Sequence, residues 1–137
     1  MNPVVQEEPT GCGIASVAAL AGVSYETVRQ TAAGLGIHAY DTALWSDTEH
    51  VRRLLGAFGL GAAPDERPFS SWEALPDCCL LAIKWRLTGE KAFWHWTVFH
   101  RGEDGPVVLD PKKTLQSNIR RDFGRMKPKW HIPVFKE

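Results

Sequence analysis

The hydrophobic rhythm of the chain changes near its middle. In the first half, apolar residues recur at helical spacing; in the second they run continuously or alternate. Ile14-Ala15-Ser16-Val17-Ala18-Ala19-Leu20-Ala21 predicts a helix of small residues over Cys12 to Ala21. Ser24 is suited to cap a second helix from Tyr25 to about Leu35, ended by Gly34 and Gly36. Residues 37–45 read as loop. Ser46-Asp47-Thr48-Glu49 matches a capping box and predicts a third helix, with Val51, Leu54, Leu55 and Phe58 on one face and Gly59 and Gly61 at its end. Residues 61–69 hold Pro64 and Pro68 and read as a connector. Ser70-Ser71-Trp72-Glu73 is a second capping box, with room only for a short helix before Pro76.

The second half predicts strands. Cys78 to Trp85 is an apolar run suited to a buried strand, and Ala92 to Arg101 is rich in aromatics. Gly102-Glu103-Asp104-Gly105 is a turn, Pro106 to Leu109 returns beside the aromatic strand, and Asp110-Pro111 stops it. Trp130 to Phe135 reads as a last strand, placed at a sheet edge because of Pro133. Helices first and an antiparallel sheet later predict an α+β fold in a single domain over residues 1–137.

Composition narrows the function. The formal net charge is zero, so no global field argues for nucleic acid or a membrane surface as partner. The stretch from Lys112 to Lys129 is locally basic, which reads as a solvated, partly irregular segment and, more sharply, as a patch for an anion. The three cysteines, Cys12, Cys78 and Cys79, are an odd number, and two are adjacent. That argues for reduced thiols and a cytoplasmic setting. The N-terminus lacks a basic leader, and its apolar run is too short to span a bilayer.

Chemistry concentrates at Gln6-Glu7-Glu8-Pro9-Thr10-Gly11-Cys12-Gly13. A thiol opening a helix faces unpaired N–H groups and the positive end of the dipole, which favours the thiolate nucleophile. Gln6, six residues earlier, is placed to donate its amide to an oxyanion. A thiolate needs a base, and His95 lies inside the stiff segment Phe93-Trp94-His95-Trp96-Thr97-Val98. The hairpin brings Asp110 back beside it, where an acid can orient the imidazole. His100 is the rival on that strand but faces the other side. His38, His50 and His131 lack metal-ligand spacing, so no metal site is expected, and covalent thiol catalysis needs no metal or organic cofactor. Cys78 and Cys79 read as core.

These residues carry a family resemblance. Gln6…Cys12-Gly13, then His95-Trp96-Thr97-Val98, then Val108-Leu109-Asp110-Pro111 resemble the bacteriocin-processing (double-glycine) peptidases, a family of papain-like cysteine peptidases. The resemblance runs from Gln6 to Pro111 and departs at Gly11, where that family usually carries an acid. It implies a papain-like fold, Cys12 as nucleophile, His95 as base, Asp110 as orienter and Gln6 as oxyanion donor. Gly11, Trp94 and Trp96 are the expected contacts of a substrate groove. The implied substrate is a peptide or protein cleaved after small residues such as Gly. Deamidation or transglutamination by the same residues, and a non-catalytic peptide-binding module, are the alternatives.

Overall fold

The computed structural model describes residues 1–136. It is an α+β fold of three helices and a seven-stranded antiparallel sheet. Helices α1 (Cys12–Ala21), α2 (Tyr25–Gly34) and α3 (Glu49–Ala57) come first. The strands are β1 (Leu60–Ala62), β2 (Arg67–Pro68), β3 (Cys78–Thr88), β4 (Lys91–Gly102), β5 (Gly105–Leu109), β6 (Ile119–Arg120) and β7 (Trp130–Lys136). Their order across the sheet is β1-β7-β3-β4-β5-β6, with β2 also paired to β7. Among the described residues, no helix is long and apolar enough to cross a membrane.

The continuous apolar run in β3 has a simple cause: both faces of the sheet are covered. Leu80 and Ala82 join the helix-side core with Ile14, Val17, Val28 and Leu54. Cys79, Leu81 and Ile83 point the other way, to a smaller cluster with Phe99, Val108 and Met126. Successive strand residues alternate faces, so a strand buried on both sides has no polar beat. Each fully buried Leu or Ile contributes about 1.5–3 kcal/mol. Helix α1 lies close to β4 because its buried side chains are small: Ala15 and Ala18 are fully buried.

Several expectations need correction. The box at Ser46 to Glu49 does not form. Asp47 instead accepts from both the backbone N–H and Nδ1 of His50, each at 2.8 Å, and Thr48 becomes the uncapped first position. The His50 bond holds the Asp47 carboxyl down at about 2, against the opposing effect of burial. At the second box Ser71 does cap, accepting from Ala74 N–H at 3.2 Å, but Pro76 allows only a turn. Strand β7 lies inside the sheet, between β1 and β3, and not at an edge. Pro133 is tolerated because it sits where β7 changes partners. The β3 ladder ends at Cys79↔Pro133, the β1 ladder begins at Ala62↔Val134, and the Pro133 carbonyl accepts from Ala63 N–H. Strands β1, β2 and β6 have two or three residues each, too few for any pattern to announce them.

Two irregularities open a space along β4. The β3–β4 ladder runs from Cys78↔His100 to Ile83↔His95, then slips and resumes at Arg86↔Phe93. Lys84 sits in this bulge with φ 55°, a conformation rare for a side-chain-bearing residue. Strand β5 stops at Leu109, opposite Val98. Beyond it, Asp110-Pro111 leaves β4 without a second neighbour at His95 and Trp96. The N-terminus of α1 fills that open edge.

Candidate active site

Cys12 is the first residue of α1, and Gly11 before it supplies no side-chain cap. The thiol therefore faces the positive end of a helix with no carboxylate or hydroxyl already in place. Its Sγ accepts from the backbone N–H of Trp96 at 3.4 Å. The open edge of β4 supplies that donor.

His95 precedes Trp96. Its Nε2 lies 2.7 Å from Asp110 Oδ1. An ionised carboxylate can only accept, so Nε2 carries the proton and Nδ1 is left for the sulfur. Burial alone would lower the His95 pKa. Hydrogen bonds with Asp110 and Cys12 outweigh it and raise the pKa to about 9. The imidazole is thus held as imidazolium, the form that pairs with a thiolate.

Asp110 is fully buried and both its oxygens are engaged. Oδ1 also accepts from Lys112 N–H at 3.0 Å, and Oδ2 accepts from the Arg120 guanidinium at 2.9 Å. Burial would raise its pKa, but His95, Lys112 N–H and Arg120 together hold it at about 2. Arg120 in turn is held by Asp122.

Gln6 lines the same cavity as His95, but its amide is engaged. Its Nε2 donates to the carbonyls of Glu8 and Pro9, both at 3.0 Å, so both amide hydrogens are committed within its own loop. The Gln6 backbone N–H donates to Pro111 O at 2.9 Å, tying the loop to the residue after Asp110. The loop is braced elsewhere: Trp45 Nε1 donates to Pro9 O at 3.1 Å, the Thr10 hydroxyl to Ala39 O, and Tyr25 and Arg29 to the Glu8 carboxylate.

The expected groove residues separate. Trp94 lines a cavity of about 410 Å³ between the Gln6–Pro9 loop, the β3 bulge and residues 112–114; His95 also opens onto it. Trp96 does not; it is fully buried beneath Trp94, ring centroids 5.8 Å apart, and meets the thiol through its backbone only. Gly11 is buried against Tyr25, and a Cβ there would overlap the Tyr25 hydroxyl. It is a packing position outside the cavity wall, which explains why no acid fits before Cys12. His100 packs by Gly102, away from Cys12. Burial pushes the thiols of Cys78 and Cys79 up, so neither competes as nucleophile. Among the described residues, no cluster of three His, Cys, Asp or Glu is arranged to hold a metal.

Sequence reasoning missed two members. Arg120 lies in a basic stretch that reads as solvated, and only the fold turns it inward. Trp45 falls in a segment that reads as loop; its short helical turn (Thr42–Ser46) brings the indole to Pro9. When the chain was compared with protein families and with curated proteins, none matched.

Proposed function

We propose that this chain is a papain-like cysteine peptidase, akin to the bacteriocin-processing family, hydrolysing a peptide or protein amide after small residues such as Gly. One observation carries the reading: the open edge of β4 brings the helix-terminal thiol against Trp96 N–H, next to an imidazole that is hydrogen-bonded to a fully buried carboxylate.

The chemistry follows from those contacts. The Cys12 thiolate attacks the amide carbon and the carbonyl electrons move onto oxygen. The Cys12 N–H, at a helix start without a side-chain cap, supports that oxyanion. Gln6 joins it by releasing one of its two loop carbonyls. The C–N bond breaks as His95 hands a proton to the leaving amine, leaving a thioester. Water then attacks the thioester with His95 as base, and the acid leaves as the thiol–imidazole pair reforms. Asp110 stays ionised throughout and holds the ring in one orientation.

The test is a peptide-library digest by the wild type, with Cys12→Ala as blank, beside alkylation of Cys12 by iodoacetamide at neutral pH. Two fragments from each cleaved peptide, lost in Cys12→Ala, are expected, with alkylation faster than that of a free model thiol. Cleavage that persists in Cys12→Ala, or a thiol no faster than the model compound, sinks the proposal. Substrates that stay whole but gain the mass of deamidation would transfer the same residues to a different reaction.

A further inference from the structure

The cavity beside His95 has an unbalanced wall. Lys84, Arg86, Lys112 and Lys113 all line it. Among the described residues, none of the four forms an ion pair with a carboxylate. Arg86 instead lies over the Phe93 ring, 5.3 Å from its centroid. Two acids share the wall, but Glu8 is taken by Tyr25 and Arg29, leaving only exposed Glu7. Lys84 and Lys112 line the same wall of the cavity. Burial, and then the neighbouring Lys112 ammonium, push the Lys84 pKa down. Asp110 is nearby, yet His95, Lys112 N–H and Arg120 already occupy its oxygens.

Both lysines are exposed to the cavity, where two like charges facing one space are unfavourable and an anion between them relieves the cost. The β3 bulge that aims Lys84 here is itself a strained backbone position, and such positions gather at functional sites. Trp45 and Trp94 give the same cavity apolar walls for the stem of a longer acidic side chain. The cavity is walled by His95 and not by Cys12. The acyl group stays on sulfur while the departing amine takes its proton from the imidazole. This space therefore belongs to the leaving-group side.

We infer that this cleft selects substrates carrying Glu or Asp just after the scissile bond, with the ammonium groups of Lys84 and Lys112 as the specificity-determining pair. The inference rests on the peptidase reading only for the side of the bond it names.

The test uses the full chain as Cys12→Ala and three dye-labelled peptides, followed by fluorescence anisotropy. One carries Glu-Ala-Glu after Gly-Gly, one Gln-Ala-Gln after it, and one the Glu residues before it. The first should bind about tenfold tighter than the second at low salt, an advantage that shrinks toward physiological salt. It should also bind tighter than the third. Adding Lys84→Gln and Lys112→Gln should remove the preference, and Lys112→Gln alone should remove part of it without touching the bulge. Equal binding of the Glu and Gln peptides, or a preference that survives the double substitution, overturns the inference. Equal binding of the first and third peptides overturns the assignment to the leaving-group side. Alkylation of wild-type Cys12 reads the peptidase proposal separately. A fast thiol without a Glu preference sinks only this inference; a slow thiol with one sinks the peptidase and the side of the bond, and leaves the lysine pair as an acidic-peptide site.

Discussion

His95 and Gln6 line the same cavity but are held by opposite means. His95 stands in a regular strand and is fixed by charge: a buried carboxylate, itself clamped by Arg120. Gln6 stands in an irregular loop and is held by neutral bonds to its own carbonyls. Moving His95 away would take one of two cations from a buried carboxylate, which costs about 2–3 kcal/mol. Moving the Gln6 amide exchanges one neutral hydrogen bond for another, each worth about 0.5–1.5 kcal/mol net. In the proposed mechanism, a base that cannot wander would thus be paired with a donor free to turn toward an oxyanion.

Breaking the charged side should have the largest effect. Asp110→Asn should lower kcat by about 10²–10⁴-fold, because the amide cannot stabilise the imidazolium. Its pH signature follows from the pKa shifts. His95 is raised from 6.5 to about 9, so its contribution to stability is full below pH 6.5 and lost as pH rises through 9. Asp110 is lowered from 3.8 to about 2, so its contribution is full above pH 3.8 and lost as pH falls through 2. The stability gap between wild type and Asp110→Asn should be widest between those inner limits and close toward either outer one. Urea unfolding across the pH range measures it. The alkaline limb of peptidase activity, expected near pH 9 in the wild type, should move to lower pH in the variant.

Arg120→Met asks whether the clamp is structural or chemical. Asp110 would keep His95 and Lys112 N–H but lose its second cation. We expect a stability loss of about 2–3 kcal/mol, below the full cost of orphaning a buried charge. The carboxyl should titrate at higher pH, readable by NMR. A loss near zero would mean that Asp122 already holds Arg120 outside, and that His95 owes its fixed position to Asp110 alone.

The smallest effect belongs to the neutral side. Gln6→Ala should reduce kcat by about tenfold, because the Cys12 N–H remains as donor, and should cost under about 1 kcal/mol in stability. A large stability loss with unchanged kcat would recast Gln6 as a loop staple and leave oxyanion support to the helix alone.

The same contrast between local and distant support governs how much of the molecule is legible in its sequence. The start of α1 and its small-residue run, Ser24 as a cap, and the β4–β5 hairpin rest on local rules, and the expectations at those places match. Ser24 accepts from Thr27 N–H at 3.1 Å, as a cap should. What failed depended on distant partners. No local pattern shows that Pro133 falls at a change of neighbours or that Arg120 turns inward. Trp96 sits two residues from Trp94 and shares its face, yet only tertiary packing puts one at the cavity and the other beneath it. The unlike residue at Gly11 is visible in the sequence, but its cause, the Tyr25 hydroxyl, is fourteen positions away.

The open edge of β4 has one more consequence, in the timing of synthesis. Cys12 is made early, whereas its partners lie far along the chain: Trp96 is 84 residues away, and the carboxylate and its arginine follow later still. Strand β7, the last of the seven, must insert between β1 and β3 before the sheet is complete. Contacts of such long range form late and slowly. Until then Cys12 stands on a nascent helix with neither Trp96 nor the His95–Asp110 pair beside it. If the proposed function holds, the thiol meets the imidazole meant to serve it only after most of the chain has been made.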